Sequence, residues 1–205
     1  MSEQALELNV INYEPIFPTM TARVLLDMPI DDMVEDVLAF VDNEENCPAG
    51  FSSLYTERSI DSLRGVAELK QAIYGVTCAM GRELKYEADY EKSNLQLWIE
   101  VMRRDNTQDA RISPRGLYAG QFVIRAEENY SPLVITNPVF AYRVHEPFVR
   151  PEDQGPFTAE ALLLKPEVGV LNVWPAFMQT RVPTMTEPGP RISFGFKIDF
   201  LPPGA

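Results

Sequence analysis

The sequence predicts a mainly β chain of the α+β class, a jelly roll with N-terminal helices packed on one sheet. Three observations predict it. Beyond about residue 94, seven short apolar runs recur with Pro and Gly between them and no helices intervening. Up to about residue 88 the pattern is mixed, and two segments space their apolar residues by three and four. The 205 residues are 45% hydrophobic and 23% charged, an ordinary composition for one domain with its own core. No internal repeat, low-complexity segment or linker divides the chain. It is read as a single domain over 1–205, with strands and two flanking helices in 1–90 and the core antiparallel strands in 91–205.

Taken in order, "LELNVIN" and "ARVLLDM" read as strands on either side of the "EPIFPT" turn. "IDDMVEDVLAFVDNEEN" follows Pro29 with Asp31 and Asp32, which suit the positive end of a helix, and sets Met33, Val37, Leu38 and Val41 on one face. "VAELKQAIYGVTCAMGREL" repeats the signal with Val66, Leu69, Ile73, Val76, Met80 and Leu84. Gly75 and Gly81 each lower its helix propensity by about 1 kcal/mol relative to alanine, which suggests close packing at both positions. The seven strands expected next are "LQLWIEVM", "GLYAGQFVI", "PLVIT", "FAYRVH", "ALLLK", "GVLNVWPAF" and "RISFGFKIDF". Alternation is clearest in the last, where Ile192, Phe194, Phe196 and Ile198 take one side.

Charge narrows the function classes. The formal net charge is −12, so the average field repels nucleic acid and acidic membrane surfaces. No apolar run approaches the roughly 18 residues of a membrane span, and the N-terminal residues do not read as a signal peptide. The expectation is a chain kept inside a cell or inside a particle assembled there. Arg103, Arg104, Arg111, Arg115 and Arg125 are the local exception, read either as the solvated rim of a sheet or as a contact patch for an acidic neighbour. Cys47 and Cys78 lack CxxC spacing and are read as reduced thiols.

Few catalytic constellations are open. His145 is the only histidine, and beside Arg143 and Glu146 it reads as a surface or salt-bridged residue. There is no GxSxG elbow, no phosphate-binding glycine loop, no GxGxxG after a strand and no zinc-ligand spacing. The paired carboxylates of "DNEEN" and "AEEN" lie in apparent turns, where charge is usually solvated.

The segments "FPT", "LWIEV", "RISPRGLYAGQFVI", "SPLVITNP", "LLLKPEVGVLNVWPAFMQTRV" and "RISFGFKIDF" resemble the frame of a family of 2-oxoglutarate and Fe(II)-dependent oxygenases. Its members occur in marine bacteria and tailed phages. The resemblance implies a double-stranded β-helix, a jelly roll whose helices come mostly from the N-terminal part. It also implies two histidines and usually a carboxylate around the metal, leaving positions open for 2-oxoglutarate and oxygen. Here Arg111 and Ser113 stand where the first ligands would be, and Gln179 or Thr180 where the distal histidine would be. Arginine is worse than neutral, since a guanidinium offers a cation only donors and a fixed positive charge.

The family arginine for the 2-oxoglutarate carboxylate matches Arg191, a vestigial cofactor residue or simply a strand-edge arginine. Phe122 and Val123 replace a pair of tyrosines. A substitute triad of His145, Asp109 and Glu100 is conceivable, although His145 lies away from both ligand motifs.

No cofactor is therefore expected. The first reading is a degenerate, non-catalytic oxygenase fold serving as a structural or assembly component, with other protein chains as partners and a tailed-phage virion, or the host cytoplasm during assembly, as its location. The alternatives are an oxygenase with unusual ligands, or a module that binds a carboxylate through Arg191.

Overall fold

A computed structural model describes residues 19–41, 50–55, 59–139, 150, 153, 155 and 159–201. The first element is β1 (Ala22–Leu25), followed by helix α1 (Ile30–Phe40). Pro29 occupies the N-cap with no side-chain cap, and Asp31 and Asp32 sit in the first turn, where the helix dipole favours negative charge. Met33, Val37 and Phe40 are buried, while Leu38 and Val41 pack at the margin of the same core. A short strand β2 (Gly50–Ser52) and one 3-10 turn lead to α2 (Val66–Glu83). Gly65 precedes α2 with φ +74°, a left-handed conformation that favours glycine.

The two helix glycines part ways. A Cβ on Gly81 would come within 2.7 Å of the Tyr90 hydroxyl, whereas Gly75 faces open space. Close packing therefore holds at Gly81 and not at Gly75, which points away from the sheet on the exposed side of α2.

The strands that follow are β3 (Asp89–Met102), β4 (Gln108–Arg111), β5 (Tyr118–Arg125), β6 (Leu133–Thr136), β7 (Ala161–Leu164), β8 (Val170–Pro175), β9 (Thr180–Val182) and β10 (Arg191–Leu201). They form two antiparallel sheets. The larger has the order β1-β8-β5-β10-β3-β2 and the smaller β4-β9-β6-β7. The expected strands "LELNVIN" and "FAYRVH" lie outside the described residues, as do Cys47, "DNEEN" and His145.

β10 is the axis of the larger sheet, paired with β3 along its length and with β5 over Ile192–Ile198. Ile192, Phe194, Phe196 and Ile198 are all fully buried and join Ile99, Val101, Phe122, Leu171 and Val173 in one core with both helices. Because strand side chains alternate, the opposite face of these strands looks toward the smaller sheet. Met102, Ala119 and Trp174 there meet Leu133, Ile135 and Val182 in a second, smaller apolar cluster.

Helix α1 is tied to the turn before α2 by Arg64. Its guanidinium donates to Asp32 (2.9 Å), Glu35 (2.8 Å) and Asp36 (2.6 Å), and its backbone N–H donates to Asp36 (2.8 Å). The side-chain and backbone hydrogen bonds from Arg64 hold the Asp36 carboxyl below its usual 3.8, and the side-chain bonds to Asp36 and Glu35 push the Arg64 guanidinium up. A carboxyl with a depressed folded-state pKa contributes stability that is present above its unfolded value and lost as pH falls through the folded one. Arg64→Ala is therefore expected to be less stable than the parent at neutral pH, by the modest amount typical of exposed ion pairs. The gap should close as pH drops below 3.8. Thermal melts taken through that range check it, and a gap constant with pH would refute it.

Candidate functional site

The inner faces of sandwiches are largely apolar, and this one is so only in part. At the centre of the larger sheet the inward positions carry Glu100 on β3, Gln121 on β5, Asn172 on β8, and Arg191 and Ser193 on β10, all buried. From the smaller sheet Thr180 on β9 is buried beside them, and Arg111 on β4 stands directly opposite Thr180. Burying polar groups without partners costs roughly 1–3 kcal/mol each, so they should be bonded.

They form two networks. In the first, the Glu100 Oε1 accepts from the Trp98 indole Nε1 (2.8 Å), from Gln108 Nε2 (3.0 Å) and from Arg111 Nη2. The Arg111 guanidinium also lies over the Trp98 ring, 5.7 Å from its centroid. In the second, Arg191 donates through Nη2 to Gln121 Oε1 (2.7 Å) and through Nη1 to the Ser131 carbonyl (3.2 Å), and Gln121 Nε2 donates to Ser193 Oγ (2.9 Å). Arg191 Nε has no partner among the described residues. Burial pulls its guanidinium down to about 10, opposed by the distant Glu100 charge, so it stays cationic at neutral pH.

Between the networks lies a cavity of about 10 Å³, bounded by Trp98, Glu100, Arg111, Ser113, Gln121 and Thr180. That is space for about a single water. Arg191 does not line it.

Of the positions at which the family resemblance sets metal ligands, Arg111, Ser113 and Thr180 border this one cavity. Gln179 is exposed, and its carbonyl accepts from the Thr136 N–H (2.9 Å). Alternation along β9 makes Thr180 the inward residue and Gln179 the outward one. Phe122 and Val123 are buried apolar residues.

The five arginines do not make one patch. Arg103 and Arg104 follow the end of β3 and Arg125 ends β5, all at one end of the larger sheet. Arg115 precedes β5, so the length of that strand, about 23 Å, separates it from Arg125. Arg111 is turned toward Glu100, and Arg104 donates to the Thr186 carbonyl (2.9 Å). Sequence proximity misleads here because the 103–125 segment crosses to the smaller sheet as β4, returns, and then runs the length of β5.

The described residues around this cavity do not fit an iron centre. Among the described residues no three His, Cys, Asp or Glu side chains converge. Arg111 can only donate, Ser113 and Thr180 are neutral hydroxyls, and Glu100 Oε1 is already shared by three donors. Asp109, part of the conceivable substitute triad, is exposed on β4. The Glu100 hub itself was not foreseen as a unit, since its donors come from different strands.

Two facing sheets with helices on one side and a polar centre define an oxygenase-like jelly roll. The family model described as "Putative 2OG-Fe(II) oxygenase" matches residues 96–197. Over those residues, about half of its length, the chain is similar to that family. Among solved structures, a Pseudomonas putida prolyl-4-hydroxylase superposes with a TM-score of 0.58 at 10% identity, covering 91% of this chain and 94% of the other. HygX from Streptomyces hygroscopicus, solved with nickel and 2-oxoglutarate bound, gives 0.56 at 7% identity, covering 91% and 84%. The non-heme α-ketoglutarate-dependent epimerase SnoN from nogalamycin biosynthesis gives 0.53 at 11% identity, covering 91% and 83%. At these identities the likeness speaks for the fold alone. Comparison with curated proteins returns no match. No helix among the described residues is long and apolar enough to cross a membrane.

Proposed function

We propose that this chain is a non-catalytic member of the oxygenase family that acts through shape and contacts, as a structural component of a protein assembly. The observation that carries this reading is the Arg111–Glu100 ion pair, which puts a guanidinium at a position where the family resemblance would set a metal ligand. A tailed-phage virion is the setting in which the family resemblance would place it, with other chains of the particle as partners. Arg103, Arg104 and Arg125, gathered at one end of the larger sheet, are the side chains an acidic partner would meet there.

The test is metal analysis of the purified chain together with 2-oxoglutarate turnover under Fe(II), ascorbate and oxygen. The expected result is substoichiometric iron and no succinate above background. Stoichiometric iron with succinate formation would overturn the reading in favour of an oxygenase with unusual ligands.

A second reading, carboxylate binding through Arg191, is favoured by one observation: the buried guanidinium is bonded only to neutral acceptors. Its exclusion from the cavity wall weighs against it. A thermal-shift panel of small carboxylic acids separates the two, because stabilisation that disappears in Arg191→Ala belongs to the second reading alone.

A further inference from the structure

We infer that Arg111 serves as the chain's own cation in place of a metal ion, joining the two sheets through Glu100. The inference rests on the metal-free reading above and adds to it what the substituted residue does. The first observation is where the pair sits. Arg111 belongs to β4 in the smaller sheet and Glu100 to β3 in the larger, so their contact crosses the sandwich.

The second is how β4 is held. It is an edge strand paired only with β9, with two register pairs, Gln108↔Val182 and Arg111↔Thr180, and an irregularity between them. Both ends of β4 reach the same carboxylate oxygen, Gln108 through its amide and Arg111 through its guanidinium. Glu100 is thereby a hub that clips this edge strand onto the other sheet.

The third is chemistry. A carboxylate as buried as Glu100 needs a positive charge nearby, and a divalent ion or a guanidinium can supply it. Arginine suits the task better than lysine, since its planar fork donates to the carboxylate while its face covers an indole. The Trp98 ring beneath Arg111 provides that second surface. Arg111, Ser113 and Thr180 border one cavity, so the guanidinium shares it with two further positions at which the family resemblance would set metal ligands.

Two measurements test this. Arg111→Met is expected to lower Tm by about 5–10 °C, and Arg111→Lys, which keeps the charge, by less than half as much. Glu100→Gln should destabilise the parent but restore part of the loss when added to Arg111→Met, because the orphaned charge is gone. An Arg111→Met variant that folds only when Glu100→Gln is added gives the same support. Equal stability of the Met and Lys variants, or losses at 100 and 111 that simply add, would overturn the inference.

In the second measurement Arg111→His, Ser113→Asp and Thr180→His are combined. That protein is expected to bind stoichiometric Co2+, seen as visible absorption, and to gain Tm with it, while the parent does neither. A triple variant that takes up no Co2+, folded or not, counts against Arg111 standing at the metal position. Iron bound by the unmodified chain would instead defeat the metal-free reading, so the two failures are distinguishable.

Discussion

Phe196→Ala is expected to cost about 3–5 kcal/mol of folding free energy, a large share of the 5–15 kcal/mol that holds a typical domain together. Phe196 is fully buried at the middle of β10, and its ring covers Gly120 so closely that a Cβ there would fall 2.2 Å from a ring atom. Truncation removes the ring from a site that cannot collapse, since the backbone around it is locked into β5 and β3 by pairing on both sides. Urea denaturation measures the loss. Phe177→Ala is the control: Phe177 is 62% exposed, and its removal should change stability by about 0.5 kcal/mol or less. Similar losses at the two positions would show that β10 is not the axis of the core.

Gly195→Ala is expected to cost about 2–3 kcal/mol, by crowding and not by a cavity. Gly195 pairs directly with Trp98, and an added Cβ would stand 2.5 Å from the indole. The ring has nowhere to go without releasing its hydrogen bond to Glu100, so the methyl should disturb the whole Trp98–Glu100–Arg111 group. Denaturation curves and intrinsic fluorescence, which here reports on two tryptophans, check the effect together. Unchanged stability and emission would mean that Trp98 does not lie against β10 as described.

What the sequence made legible was whatever repeats along one strand or helix. Ile192 to Ile198 alternate over a long strand buried on both sides, and Met33/Val37 and Leu69/Ile73 keep helical spacing, so these elements could be read directly. β2, β4 and β9 escaped because three or four residues hold too little alternation to stand out. The start of β3 escaped because "DYEKSN" is polar and solvated although it is paired.

The candidate site was legible only as a set of unsuitable ligands. Its positive content, a carboxylate shared by donors at 98, 108 and 111, depends on two sheets meeting, and nothing in local spacing encodes that. The supposed arginine patch failed for the same reason in reverse: neighbours in sequence were carried to opposite ends of a strand.

The central position of β10 also constrains the order of events during synthesis. Strands β3 and β5 are separate partners of a segment that lies some 65 residues or more downstream of them, so the β2–β3 and β5–β8 pairs cannot join into one sheet until 191–201 has been made. Until then the apolar faces of both strands wait without their neighbour, the kind of interval in which a nascent polypeptide depends on chaperones to avoid aggregation.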